Sequence, residues 1–145
     1  FQAFHLFPSL SATDNVAEVL AMSGMRIRAA RDVARSFLRR CGLEHRLDAL
    51  PAELSAGQRQ RVAVARALAP RPRVVIADEP TASLDSATAK DVMRLLRDYL
   101  GPDTGVLLVT HDARLLRSCD RVIEMADGRV VGDRPARAGL QEEAP

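Results

Sequence analysis

Two adjacent carboxylates, Asp78 and Glu79, directly follow a short apolar run at 74–77 and precede Pro80. A short β-branched run of this kind predicts a buried parallel strand, and open parallel sheets bind ligands at the carboxyl ends of their strands. One carboxylate could hold Mg²⁺ through oxygen, and its neighbour could orient or deprotonate a water molecule. A solvated pair of acids at a strand end is the plainer alternative, and this dipeptide alone would favour it.

A histidine and a serine–glycine pair offer further chemistry. His111 follows a second predicted strand at 105–110 and could reach the same cleft, although a lone histidine there is more often a capping or surface residue. Residues 54–58 (LSAGQ) stand before a predicted helix, where unpaired backbone N–H groups and the helix dipole bind anions. Taken by itself, Ser55 is equally well explained as an ordinary N-cap.

The composition narrows the class of protein. The 145 residues are 47% hydrophobic and 28% charged with a net charge of +2, which is typical of a globular chain and too balanced for a nucleic-acid tail or a membrane-surface anchor. Cys41 and Cys119 are too few for a disulfide framework or a cysteine metal site. The strictly apolar runs are also far shorter than the about 20 residues that a membrane-spanning helix needs.

The periodicity of the apolar residues predicts helices first and an alternation of strands and helices afterwards. Residues 27–41 carry a helical stripe that Gly42 ends, and Thr13 or Asp14 is expected to cap the preceding helix. Residues from 133 onward are expected to form a polar tail. The predicted helices cover about 13–22, 27–41, 45–50, 58–69, 86–100 and 113–118, and the strands 74–77, 105–110, 121–125 and a hairpin partner at 130–131.

The order and spacing of these motifs resemble the ATP-binding subunit of ABC transporters. In that comparison Phe1 and Gln2 resemble the glutamine loop and His111 the switch histidine, while 54–58 resembles the signature motif, 74–80 the Walker B strand and 83–85 (SLD) the D-loop. The intervals are 53 residues from Gln2 to Ser55, 23 from Ser55 to Asp78, 6 from Glu79 to Asp85 and 26 from Asp85 to His111. Five motifs in this order make the resemblance specific, and it covers nearly the whole chain.

The resemblance implies an α/β fold, a P-loop NTPase-like parallel sheet (partial) with an inserted helical subdomain. Four segments are expected: the glutamine loop at 1–8, the helical subdomain at 9–56, the C-terminal part of the ATPase core at 57–132 and the polar tail at 133–145.

The resemblance also implies roles in binding and hydrolysing ATP. Asp78 and Gln2 would hold Mg²⁺, and Glu79 would be the catalytic base. Gln2 would also sense the attacking water, and His111 would contact the γ-phosphate, so these two count as catalytic residues with Glu79.

Two subunits of such a protein sandwich two ATP molecules. Ser55, Gly57 and Gln58 would bind the nucleotide held by the other subunit, and Asp85 would link the two sites. The third signature residue is usually glycine, and Ala56 stands there instead. Alanine is less free at positive φ, but we expect little loss because Ser55 and Gly57 remain.

A bacterial exporter group is the nearest likeness within the family. Residues 1–4, 110–112 and 122–129, with Asn15 and Val16, look like the macrolide-export, lipoprotein-release and glycolipid-export ATPases. The implied function is the ATP-binding and ATP-hydrolysing subunit of a transporter that exports a substrate across or out of the inner membrane. The implied partners are a transmembrane permease subunit and a second ATP-binding subunit, with no nucleic acid. The chain would lie at the cytoplasmic face of the membrane and touch it only through the permease.

One family motif is missing from these residues. No G-x-x-x-x-G-K-[ST] phosphate loop is present, and Lys90 is the only lysine. In the family this loop lies upstream of the glutamine loop, so we expect an N-terminally truncated sequence that is inactive as an ATPase by itself.

Two alternatives remain at this stage. An ABC-type DNA-repair or chromosome ATPase would carry a long coiled coil between the glutamine loop and the signature, and the 53-residue interval from Gln2 to Ser55 argues against it. A non-catalytic remnant that only binds a partner would have no need of Glu79 and His111.

Overall fold

A computed structural model describes residues 4–81, 86–99 and 103–136 of the protein. The chain divides into two compact units, Phe1–Val109 and Thr110–Pro145. Within the described residues, the first unit contains the longer helices and a parallel pair of strands, and the second contains a short helix and a β-hairpin. The four segments predicted from the sequence stay a prediction.

A bundle of helices forms the main core of the first unit. Its members are α1 (Ala12–Met22), α2 (Ile27–Arg40) and α3 (Ala56–Leu68), and two 3₁₀ turns at Glu44–Arg46 and Pro51–Glu53 join α2 to α3. Many of the buried side chains are alanines, which let the helix backbones approach closely. The fully buried members of this core include Ala12, Val16, Ala17, Ala30, Ala34, Leu38, Val62 and Ala65.

The ends of α1 and α2 follow from single residues. Ser11, and not Thr13 or Asp14 as predicted, caps α1, and its hydroxyl oxygen accepts a hydrogen bond from the Asp14 amide at 3.1 Å. The prediction was wrong because Thr13 is buried inside the helix, where its hydroxyl donates to the carbonyl of Leu47 at 2.8 Å. Gly42 follows α2 at a φ of +70°, in the left-handed region that glycine adopts without strain.

Among the described residues of the first unit, two strands form a sheet. Strand β1 (Val74–Asp78) pairs in parallel with β2 (Gly105–Val109), in a register that sets Val74 opposite Gly105 and Asp78 opposite Val109. Helix α4 (Ser86–Tyr99) connects them in sequence, as the helical period of 86–100 predicts. A parallel pair needs such a crossover, because the chain must return to the same edge before the second strand begins.

The helices cover one face of β1. Val75 is buried in a cluster with Leu68 of α3 and with Val92 and Leu96 of α4. Side chains alternate along a strand, so Val74 and Ile76 point to the other face, where they are 64% and 71% exposed. The prediction of buried strands was therefore wrong for this face, and β2 likewise has no buried residue.

The second unit contains α5 (Ala113–Leu116), β3 (Arg121–Ala126) and β4 (Arg129–Pro135). Strands β3 and β4 pair antiparallel, which confirms the predicted hairpin. Asp127 and Gly128 have φ values of +49° and +73°, as the favoured two-residue hairpin turn requires at its central positions.

Strand β4 is longer than the predicted hairpin partner at 130–131. Strand β4 continues to Pro135, because charged side chains pair across the hairpin up to its end. Arg121 binds both carboxylate oxygens of Asp133, with Nη2 to Oδ2 at 2.6 Å, and Arg134 binds Glu124 at 3.0 Å. The charged residues Asp133 and Arg134 therefore belong to a strand, and the side chains that they bind lie on the other strand of the hairpin.

Candidate functional site

The two predicted acids, one at the end of β1 and one in the turn after it, differ in backbone conformation. Asp78 is the last residue of β1 and is exposed. Glu79 has a φ of +46°, in the left-handed region that residues other than glycine avoid, and its amide donates to the carbonyl of Val109 at 2.9 Å. Such a conformation costs about 1–3 kcal/mol and persists only where surrounding contacts impose it.

A side chain of α3 holds the other end of this turn. The amide nitrogen Nε2 of Gln60 donates to the carbonyl oxygen of Pro80 at 2.8 Å. Thr81, the next residue, is buried. Sequence reasoning missed Gln60, because its partner lies 20 residues away and no local pattern marks the pair.

Ser55 and Gln58 close the first turn of α3 by a reciprocal capping box. The hydroxyl oxygen of Ser55 accepts from the Gln58 amide at 3.2 Å, and the Gln58 side-chain oxygen accepts from the Ser55 amide at 2.9 Å. The helix therefore begins at Ala56, two residues before the predicted start. A serine hydroxyl that accepts one bond still has a hydrogen to donate, and Ser55 is exposed, so an anion could be bound there.

The departure from glycine at Ala56 causes no backbone strain. Ala56 is the first residue of α3, and the non-glycine residues with positive φ in the described chain do not include it. Alanine is the best helix former, so it suits this position. The small effect of Ala56 on nucleotide binding stays a prediction.

Close packing requires glycine at position 57, which lies in the run that resembles the signature motif. A Cβ atom added at Gly57 would lie 2.8 Å from the methyl carbon of Thr88 in α4, closer than such atoms approach. The first turn of α3 therefore lies against the first turns of α4 at a distance that only glycine allows. This contact fixes the position of the capping box relative to α4.

Substitution of Gly57 by alanine is expected to lower the free energy of unfolding by about 1–3 kcal/mol, because the new methyl group overpacks the contact with Thr88. Thr88→Ser removes the opposing methyl carbon, so the double variant should recover much of the loss. Denaturant unfolding of the four proteins in a double-mutant cycle measures the coupling. Additive effects would show that the two helices are not in this contact.

Arginines on one face of α3 hold the loop that follows Gln2 in the sequence. Arg66 donates from Nη1 to the carbonyl of His5 at 2.7 Å and from Nη2 to that of Phe4 at 3.1 Å. Arg59 precedes Arg66 by two helical turns and therefore shares its face, with its guanidinium carbon 5.7 Å from the centroid of the Phe4 ring. Partial burial lowers the pKa of Arg66 from its ordinary value.

Asn15 holds the same loop from α1. Its side chain is fully buried, and its oxygen accepts from the Phe7 amide at 2.8 Å. Its nitrogen donates to the carbonyls of Phe7, Leu10 and Ser11 at 3.1, 2.9 and 3.0 Å. A buried amide group whose oxygen and nitrogen both form hydrogen bonds fixes the path of the loop. The sequence pointed to Asn15 only through the resemblance to the exporter group.

His111 is exposed in the second unit, between two residues whose hydrogen bonds order the backbone. The Asp112 amide donates to the hydroxyl of Thr110 at 3.1 Å, and the Asp112 carboxylate caps α5 by accepting from the Arg114 amide at 2.9 Å. The Arg114 guanidinium donates to both carboxylate oxygens. These bonds, with the guanidinium contribution first, lower the pKa of Asp112 to about 2, so the cap stays ionised in mildly acidic solution.

The structure brings together part of the predicted site. The turn at Glu79 is bonded to the helix that begins with the signature run, and both belong to the first unit. His111 belongs to the second unit. Gln2 and Asp85 lie outside the described residues.

Asp78 is the described member of the predicted Mg²⁺ ligands. Mg²⁺ in proteins takes one or two carboxylates, keeps several waters and binds substrate phosphate oxygens. An exposed carboxylate at a strand end fits that chemistry. Among the described residues, no group of three or more His, Cys, Asp or Glu side chains could hold a metal ion.

A known protein family matches more than half of the chain. A family model described as ABC transporter matches residues 1–82, and the chain belongs to this family. Lipoprotein-releasing system ATP-binding protein LolD 2 of Rhodospirillum rubrum is 48% identical over 138 residues, which are 94% of this chain and 60% of the relative. Macrolide export ATP-binding/permease protein MacB of Chromobacterium violaceum is 44% identical over 138 residues, 95% of this chain and 21% of the relative. The chain thus spans 60% or less of the length of these relatives.

Solved structures agree with the fold. The dimeric post-hydrolysis state of the ATP-binding cassette MJ0796, bound to ADP and Pi, is 38% identical, with a TM-score of 0.83 over 94% of this chain and 61% of that chain. This confirms the predicted α/β class and the resemblance to the macrolide-export and lipoprotein-release group. In the described part of the chain, no helix combines the length and apolar character needed to cross a membrane.

Proposed function

We propose that this chain is the ATP-binding and ATP-hydrolysing part of an ABC transporter that powers export of a substrate across or out of the bacterial inner membrane. The observation that carries the proposal is the bond from Gln60 to Pro80, which joins the helix of the signature run to the turn of Glu79. Relatives named for macrolide export and lipoprotein release support the direction of transport.

In this proposal the end of β1 supplies the hydrolytic groups. Glu79 orients the attacking water and accepts its proton, and it directly follows Asp78, the last residue of β1. Asp78, with Gln2, contributes oxygen ligands to Mg²⁺, which when bound neutralises phosphate charge. His111 contacts the γ-phosphate.

The signature run acts on a nucleotide held by a second subunit. The exposed Ser55 hydroxyl and the first backbone N–H groups of α3, including that of Gly57, form an anion site at the positive end of the helix. Gln58 keeps Ser55 in place through the capping box, and Asp85 links the two sites of the dimer. The solved dimer of MJ0796 bound to ADP and Pi supports a two-subunit arrangement.

The proposed function also implies a partner in the membrane. A transmembrane permease receives the work of hydrolysis, and this chain lies at the cytoplasmic face of the inner membrane and contacts it only through that permease. The loop at 4–7 follows Gln2 in the sequence, and the hydrogen bonds of Arg66 hold it to α3. We expect this loop to couple the nucleotide-bound state of this chain to the permease.

The full-length gene product is expected to release phosphate from ATP in a Mg²⁺-dependent manner, with turnover on the order of 1 s⁻¹, the low end of ordinary enzymes. Phosphate release with and without Mg²⁺ and with and without DNA measures this. Stimulation by DNA would favour the chromosome or repair ATPase. ATP binding without turnover, with Glu79 and His111 intact, would favour a non-catalytic remnant.

A further inference from the structure

The left-handed backbone of Glu79 is held from both sides. On its amino side, the Glu79 amide bonds to the carbonyl of Val109 at the end of β2. On its carboxyl side, the carbonyl of Pro80 accepts from the Gln60 side chain at 2.8 Å. The first contact is made by the sheet itself, whereas the second depends on one side chain of α3.

We propose that Gln60 is a positioning residue for Glu79, which keeps the carboxylate in its working direction by holding the carbonyl of Pro80. The inference rests on the proposed function, in which Glu79 is the base. The backbone φ of a residue sets where its side chain points relative to the peptide before it. A change from the φ of +46° to an extended value near about −120°, which proline favours in the residue before it, would rotate the Glu79 side chain by about 165°.

The strain at Glu79 makes the bond from Gln60 consequential. A left-handed residue other than glycine reverts to an ordinary conformation when its restraints are removed. The ring of Pro80 disfavours the α region for the residue before it, so a released Glu79 would relax towards extended backbone. Loss of one side-chain hydrogen bond is thereby expected to misdirect the carboxylate without unfolding β1, whose pairing with β2 is made by the backbone.

The same bond connects Glu79 to the signature run. Gln60 and Ser55 belong to one helix and its cap, and a helix moves as a rigid element over five residues. A shift of α3 when Ser55 binds a phosphate would therefore pull on the carbonyl of Pro80.

Two substitutions separate the hydrogen bond from the bulk of the side chain. Gln60→Met keeps the length and the helix propensity but has no donor, whereas Gln60→Lys keeps a donor on a long flexible stem. In the full-length protein, Gln60→Met is expected to lower kcat for ATP by about 10- to 100-fold. KM for ATP should change by less than about twofold, because substrate binding is not the interaction removed. Gln60→Lys should recover a large part of kcat.

Ala67→Gln, at an exposed position of the same helix, is the control and should leave kcat unchanged. If the wild type turns over ATP and Gln60→Met keeps its kcat, the inference is wrong while the proposed function stands. A rise in KM with a lowered melting temperature in both Gln60 variants would show a structural role and overturn it as well. A wild type without ATP turnover would overturn the proposed function and, with it, the inference.

Discussion

Glu79→Gln is expected to lower ATP turnover of the full-length protein by about 10²–10⁴-fold, the usual contribution of a general base. The substitution keeps the size and hydrogen-bonding capacity of the side chain but removes its basicity. The contacts that shape the turn, from the Glu79 amide to Val109 and from Gln60 to the carbonyl of Pro80, involve the main chain and survive. Binding should therefore persist, and the variant should form a stable dimer in Mg-ATP and a monomer in ADP.

Asp78→Asn is the matched comparison, since it changes the neighbouring acid at the same strand end. It is expected to weaken the Mg²⁺ site and to lose the nucleotide-dependent dimer as well as turnover. Size-exclusion chromatography of both variants, with and without Mg-ATP, distinguishes the two outcomes. Near-normal turnover in Glu79→Gln, or no ATP-dependent dimer in either variant, would contradict the assignment of base and metal ligand.

Ser55→Ala is expected to reduce hydrolysis by about 10²–10³-fold, the range found when one donor to a developing anion is removed. Because Ser55 is proposed to act on the nucleotide of the opposite subunit, ATP affinity of a single subunit should be nearly unchanged. Equilibrium binding at low protein concentration and phosphate release at high concentration, on the same preparation, measure the two quantities. A large loss of monomer affinity would place Ser55 in its own subunit's site.

The loss of a helix cap has to be separated from the loss of a phosphate donor. Ser11 offers the control, because it caps α1 as Ser55 caps α3, with amide-to-hydroxyl distances of 3.1 and 3.2 Å. Either alanine substitution should cost about 1 kcal/mol of stability. Ser11→Ala should nevertheless hydrolyse ATP at the wild-type rate, and an equal loss of activity in the two variants would reduce the role of Ser55 to capping.

Features with a local cause could be predicted from the sequence. The stripe at 27–41 and Gly42 gave α2 to within one residue, and the turn at Asp127 and Gly128 gave the hairpin. The start of α3 was misjudged although its signal was local, since a serine followed three residues later by glutamine is a capping box. The cap of α1 was misjudged because several hydroxyl and carboxylate residues compete there, and burial of Thr13 decided between them.

Contacts between distant residues could not be predicted in this way. Gln60 holds a carbonyl 20 residues away, and Gly57 is required by a methyl group on another helix. The exposure of Val74 and Ile76 likewise depends on what covers each face of the sheet, which an apolar run does not specify. The acids at 78–79 were found because their position at a strand end is local, whereas the left-handed backbone of Glu79 follows from its tertiary bonds.

The hydrogen bonds between the loop at 4–7 and α3 also determine when these two segments can associate during protein synthesis. The carbonyl of His5 bonds to Arg66, which is translated 61 residues later. At about 5–20 residues per second, elongation alone separates the two residues by about 3–12 s. Throughout that interval Arg66 is not available to the nascent loop, so the bonds to the carbonyls of Phe4 and His5 form only after α3 has emerged.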